Sequence, residues 1–183
     1  MSSLLVSDQR PWFDSAFEAG YLELYAHRDL AAARAEVGGL LARGGGGSGG
    51  AVLDLGCGFG RHLAALRERG IDAWGLDRSH ELLARTAPEL RGRVVRGDFR
   101  ALPFRGGAFA AVWMLFSSFG YFDDLENERA LRELARVLAP GGVAVLDLMH
   151  PARVRATLVP RSTTRRGTLV LDESRRLEQG GTR

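Results

Sequence analysis

VLDLGCGFGRH, residues 52–62, is a short apolar run that breaks into three alternating glycines and resumes as a helix-forming stretch. With Ala51 in front, AVLDL reads as a fully buried strand. Gly56 to Gly60 form a tight turn, and Leu63, Ala64, Ala65 and Leu66 open a helix that Gly70 stops. Glycines at 56, 58 and 60 let the backbone take tight conformations and approach a ligand with no Cβ in the way. The first amides of the helix behind them have no partner within the helix and face the same space. Strand, GxGxG turn and helix together read as a turn for a nucleotide-type cofactor.

Upstream, GGGGSGG (44–50) reads as a flexible connector between an N-terminal helical region and the main body. Downstream, strands and helices alternate. Ile71–Leu76 is a second strand ending at Asp77, and Ser79 is an N-cap for the helix after it. Arg93–Val95 is a short third strand ending near Asp98, and Phe109–Phe116 is a fourth, apolar throughout. Asp123-x-x-Glu126 is a capping box, and the helix behind it is expected to bury Leu131, Leu134, Ala135 and Leu138. Pro140-Gly141-Gly142 is expected to end that helix before a fifth strand, Val143–Leu148. This order predicts an α/β fold: a Rossmann-like, doubly wound, mostly parallel sheet with helices on both faces. Ligands of such sheets sit beyond the carboxyl ends of the strands, at the switch in strand order.

The acidic residues fall at those ends. Asp77 stands 21 residues after Gly56, where a carboxylate can accept both ribose hydroxyls. Asp98 closes strand three, where it can accept from an exocyclic adenine amine. Arg61 occupies the place where a dinucleotide fingerprint has its last glycine. The combination describes a site for an adenosine without a pyrophosphate, and it argues against an NAD-dependent oxidoreductase.

VLDLGCGFGRH closely resembles motif I of the class I S-adenosylmethionine-dependent methyltransferases. GLDRS (75–79) is similar to their second motif and GDFRALPF (97–104) to their third. LARVLAPGGVAVLDL (134–148) is similar to the helix and strand that follow strand four. WFDSAFEAGYLELYAHRD (12–29) and FSSFGYF (116–122) resemble segments of a bacterial branch acting on small molecules. The resemblance covers roughly 50–150 and implies S-adenosylmethionine as cofactor and a small-molecule methyl acceptor as partner. It implies that Asp54 orients the glycine loop and reaches the methionine amino group through water, and that Gly56, Gly58 and Gly60 line the methionine moiety. Asp77 would hold the ribose, Asp98 and the Phe99 backbone would read the adenine, and Arg78 would lie along its face. Leu115 and Phe116 would flank the sulfonium. Tyr21 and Tyr25 share a helix face and either close over the cofactor or simply pack. The family's sheet has two more strands after the fifth. The sequence is expected to lack those final strands, as a C-terminally truncated chain whose exposed sheet edge or C-terminal strand could form a homodimer.

Composition sets the remaining bounds. The chain has 183 residues, one cysteine and no lysine, with a net charge of +3. Three units are expected: an N-terminal helical lead-in or lid (1–43), a cofactor-binding core (51–150), and the start of a β excursion or a flexible basic tail (151–183). Residues 1–150 hold 17 Arg against 19 acidic residues, whereas 151–183 hold 8 Arg against 3, so the positive charge belongs to the tail. The core shows no basic stripe, which argues against nucleic acid as partner, although a nucleic-acid methyltransferase and a non-catalytic cofactor-binding protein stay open as alternatives. No apolar run approaches the length of a membrane span and no secretory signal is seen, so a cytoplasmic protein is expected. A single Cys57 can form neither an internal disulfide nor a metal-binding pair, and no metal is expected. A radical mechanism needs a cluster held by three cysteines.

No dedicated catalytic motif is visible, and none is required, because positioning alone can carry a methyl transfer. His150 is a candidate general base, alternatively a structural or exposed residue. His62 is expected to be packed or hydrogen-bonded, Tyr121 to form a substrate-side wall, and Cys57 to be inert.

Overall fold

A computed structural model describes residues 29–166 and 169–177. Helix α1 (Leu30–Ala42) precedes β1 (Val52–Leu55), α2 (Arg61–Arg67), β2 (Ala73–Asp77) and α3 (His80–Ala84). A 3-10 helix over Pro88–Arg93 leads into β3 (Val94–Arg96), followed by β4 (Phe109–Met114), α4 (Asp124–Val137) and β5 (Leu138–Leu146). Helix α5 (Pro151–Thr157) and strands β6 (Arg161–Arg166) and β7 (Leu169–Ser174) complete the order.

The main sheet runs β3-β2-β1-β4-β5, every pair parallel. Chain order reverses between β1 and β4, which makes their carboxyl ends the switch point. Strand residues alternate between two cores, as period-two side chains must. Val52, Ala111 and Trp113 join Ala33 and Val37 of α1 and Leu63 and Leu66 of α2 on one face. Leu53, Leu55, Val112 and Met114 join Leu134 and Val137 of α4 on the other. Burial on both faces explains why β4 reads as an unbroken apolar run.

Local chemistry sets the helix starts. Ser79 accepts from the Leu82 amide at the start of α3, and Asp123 accepts from the Glu126 amide at the start of α4. The buried stripe of α4, however, is Ala130, Leu134 and Val137, while Leu131 is 39% exposed and Ala135 is exposed. The expected stripe ran through Leu138, but the helix ends at Val137 and Leu138 already pairs with Phe109 in the sheet. Pro140-Gly141-Gly142 therefore does not terminate the helix. It lies inside β5, where the register jumps from Phe109↔Leu138 to Ala111↔Val143. Gly141, at φ +75°, supplies the left-handed residue that such an irregularity favours.

The glycine stretch 44–50 is a second departure. Its residues fold into turns against β4, and the Trp113 indole donates to the buried Gly45 carbonyl at 2.7 Å. Gly47 (φ +68°) approaches the sheet so closely that a Cβ would stand 2.3 Å from the Ala110 carbonyl oxygen. It is a packed turn rather than a free connector. Gly47→Ala should destabilise the fold by about 3 kcal/mol. Gly44→Ala, left-handed but facing open space, should cost about 1 kcal/mol. Urea unfolding of both variants checks this, and equally small losses would contradict a packed turn.

After β5, the segment expected to be the start of a β excursion or a flexible tail holds two strands. β6 and β7 form an antiparallel hairpin, Arg161 opposite Ser174 and Arg166 opposite Leu169, separate from the main sheet. Thr163 Oγ1 donates to Asp172 Oδ1 at 2.6 Å, so side chains as well as backbone hold the pair.

Candidate functional site

The carboxyl ends of β1, β2 and β4 meet around the glycine loop. Gly56, Gly58 and Gly60 all take positive φ (84°, 56° and 87°). The Gly56 and Cys57 amides donate to the Leu76 carbonyl, which ties the loop to β2. A Cβ on Gly56 would stand 2.8 Å from Ser118 Oγ and 3.5 Å from the Phe99 ring. The loop thus touches the segments after both β3 and β4 at a point where only glycine fits.

Asp77 is 9% exposed. Its Oδ2 accepts from the Gly58 amide at 2.7 Å and its Oδ1 from the Ser79 amide at 2.8 Å. Burial raises its pKa, opposed by these two amides and reinforced by the charge of Asp54. The raised carboxyl contributes stability below its ordinary value of 3.8, lost as pH rises through its folded value.

Asp54 is 1% exposed at the end of β1, and its Oδ2 has no hydrogen-bond partner. An unsatisfied buried carboxylate oxygen beside a glycine cradle suits a ligand that brings a cationic donor. Cys57 lies in the same turn. Burial, followed by the charges of Asp54 and Asp77, pushes its thiol well above the ordinary range, so it holds little thiolate at neutral pH.

Asp98 has a different surrounding from the one its strand-end position suggested. Arg100 Nε and its backbone amide both reach Oδ1 at 2.9 Å, and its NH2 reaches Oδ2 at 2.7 Å. Arg100 also pairs with Glu126 of α4 and lies over the Phe122 ring at 4.3 Å. An adenine amine would have to share Asp98 with this guanidinium. The Arg100 side chain holds the Asp98 carboxyl below its ordinary 3.8. A lowered carboxyl contributes stability above that value and loses it as pH falls through its folded value. Asp98→Asn should therefore flatten the decline in stability below about pH 4. Urea unfolding at about pH 5 and about pH 3 checks the slope; an unchanged slope would contradict the pairing.

After β4 the backbone is strained. Phe116 and Ser117, neither of them glycine, both take left-handed φ of 56° and 55°. Asp147 fastens them: its Oδ2 accepts from the Phe116 amide at 3.0 Å, and its carbonyl accepts from the Ser117 amide at 3.0 Å. Consecutive residues of this kind persist only where their surroundings hold them, and such strain gathers at functional sites. The Phe116 ring stacks on His62, centroids 5.8 Å apart at 12°, and carries the Arg61 guanidinium at 4.6 Å. Leu115 is buried beside it.

The structure therefore gathers Asp54, the three glycines, Asp77, Phe99, Leu115 and Phe116 around one loop. Arg78 is exposed, and its carbonyl accepts from Arg96 Nε at 3.2 Å. His150 is exposed at the N-cap of α5, with no side-chain cap bond. Tyr21 and Tyr25 lie outside the described residues. Sequence reasoning missed Glu36, Arg61 as a packed partner, Arg100, Ser118 and Asp147. Among the described residues no cluster of three or more His, Cys, Asp or Glu could hold a metal ion, and no helix is long and apolar enough to cross a membrane.

Fold and site together define a Rossmann-like domain whose glycine loop and flanking carboxylates suit an adenosine cofactor with a cationic amino-acid end. Residues 52–142 match the family model of a methyltransferase domain. The demethylmenaquinone methyltransferase of Thermus thermophilus is 42% identical over 118 residues, 60% of this chain and 52% of that protein. A dTDP-3-amino-3,4,6-trideoxy-alpha-D-glucopyranose N,N-dimethyltransferase of Streptomyces venezuelae is 36% identical over 99 residues, 52% of this chain and 41% of that protein. Among solved structures, the S-adenosylmethionine-bound amino pentose methyltransferase from Micromonospora echinaspora aligns with a TM-score of 0.60 at 26% identity. That alignment covers 84% of this chain and 66% of that one. The chain belongs to the class I S-adenosylmethionine-dependent methyltransferases. It spans about half the length, or less, of the curated relatives just described.

Proposed function

We propose that this chain binds S-adenosylmethionine across the carboxyl ends of β1, β2 and β4 and serves methyl transfer to a small-molecule acceptor. The carrying observation is the buried, unsatisfied Asp54 oxygen beside a loop of three left-handed glycines, with Asp77 at the neighbouring strand end. In this reading Asp54 faces the amino-acid end, and Gly56, Gly58 and Gly60 admit it closely. Asp77 accepts from the ribose, Asp98, the Phe99 backbone and Arg78 border the adenine, and Leu115 and Phe116 close the sulfonium side. Tyr25 is a further residue that we assign to cofactor binding. The cofactor, when bound, supplies an electrophilic methyl group on a positive sulfur.

The protein's part is to orient, exclude water and hold charge. A base is needed only for an acceptor that arrives protonated, and His150 is our candidate for that case. The small-molecule class is supported by relatives named as methyltransferases of demethylmenaquinone and of a dTDP-linked amino sugar. We divide the chain into the lead-in (1–43), the cofactor-binding core (51–150) and the hairpin-bearing remainder (151–183). A cytoplasmic location fits a lone cysteine, and we place self-association at the outer edge of β5, the last strand of the main sheet. Incubation with S-adenosylmethionine and a panel of amines and quinols tests the activity. Acceptor-dependent formation of S-adenosylhomocysteine is expected; tight cofactor binding with no turnover of any acceptor would favour a binding protein instead.

A further inference from the structure

Glu36, His62 and Asp54 form a chain that the proposed function leaves unused. His62 is buried in the first turn of α2. Its Nε2 stands 2.9 Å from Glu36 Oε2, carried by α1, and its Nδ1 stands 3.4 Å from Asp54 Oδ2. A carboxylate oxygen only accepts, so the short contact to Glu36 requires the proton on Nε2. A neutral ring then turns the Nδ1 lone pair toward the unsatisfied Asp54 oxygen, and two buried acceptors face each other. The ring is held in place by its stack on Phe116 and by Arg61, whose NH1 donates to the same Glu36 oxygen at 2.7 Å. Two fixed acceptors side by side match a cation with several donors, as a primary ammonium is.

We propose that His62 Nδ1 and Asp54 Oδ2 together accept the α-ammonium group of the cofactor's amino-acid end. This rests on the reading above that the cofactor is S-adenosylmethionine. The groups facing the ring are Asp54 from β1, Glu36 from α1, Arg61 from its own helix and the uncharged Phe116 after β4.

Titration calorimetry can compare S-adenosylhomocysteine with 5′-methylthioadenosine, which lacks the amino-acid end. The wild type should bind both. His62→Gln can keep an N–H toward Glu36 but loses Nδ1. It should bind S-adenosylhomocysteine about tenfold more weakly and 5′-methylthioadenosine unchanged, which also reports an intact site. Equal affinity of wild type and variant for S-adenosylhomocysteine would overturn the inference and leave the cofactor assignment standing. Failure of both ligands to bind the wild type would overturn the assignment and the inference with it.

Discussion

Trp113→Ala should destabilise the fold by about 3–5 kcal/mol, the range for deleting a large buried aromatic side chain. Trp113 is 0% exposed in the middle of β4, and its ring belongs to the core shared with α1 and α2. The substitution removes that volume and also strips the buried Gly45 carbonyl of its donor. Trp113→Phe separates the two effects: most of the volume stays, and the unpaired carbonyl should cost about 1–3 kcal/mol. Urea unfolding measures both. Losses below about 1 kcal/mol in both variants would mean that the glycine stretch does not pack on the sheet.

Asp77→Ala should weaken S-adenosylhomocysteine binding by about 10- to 100-fold, as expected for losing a charged acceptor. The side chain does two things at once, since it faces the site and also receives the Gly58 and Ser79 amides. Its effect on the ligand-free protein is a difference of opposing contributions. Burial penalises the carboxylate, while the two amides stabilise it. Stability without ligand should therefore change less than affinity. Calorimetry paired with urea unfolding decides: unchanged affinity with a clear loss of stability would make Asp77 a clamp on the loop rather than a ribose acceptor.

Much of the fold was legible because its signals are local. The Gly56–Gly60 turn, the Ser79 cap and the Asp123 cap each lie within a few residues and recur in the structure where the sequence puts them, although the Glu126 side chain of the expected capping box pairs with Arg100 instead. GGGGSGG misled because composition reports backbone freedom and not what covers the backbone. The covering residue, Trp113, lies 68 positions away. Pro140-Gly141-Gly142 misled for a related reason: a proline-glycine run punctuates a helix end and a strand irregularity alike. The α4 stripe shifted because Leu138 was counted into a helix that had already given way to the sheet.

The site was legible in part. Asp77 and the glycines were singled out from strand ends and spacing and Asp54 from the family resemblance alone, and the structure places all of them at the carboxyl ends of β1 and β2. Glu36 carries no such mark, since its contact with His62 spans 26 positions and two helices. Nor could the left-handed Phe116 and Ser117 be read, because neither residue type favours that conformation and Asp147 holds them from β5's far end. Asp98 shows the limit of position alone: the strand end suggested an adenine acceptor, but Arg100 two residues on contacts both oxygens.

The central claim is that this loop and its carboxylates form an S-adenosylmethionine site and not a dinucleotide site. Titration calorimetry of the full chain with S-adenosylhomocysteine and with NAD tests it most directly. Saturable binding of S-adenosylhomocysteine with no detectable binding of NAD is the expected result; NAD binding as tightly or more tightly would contradict it.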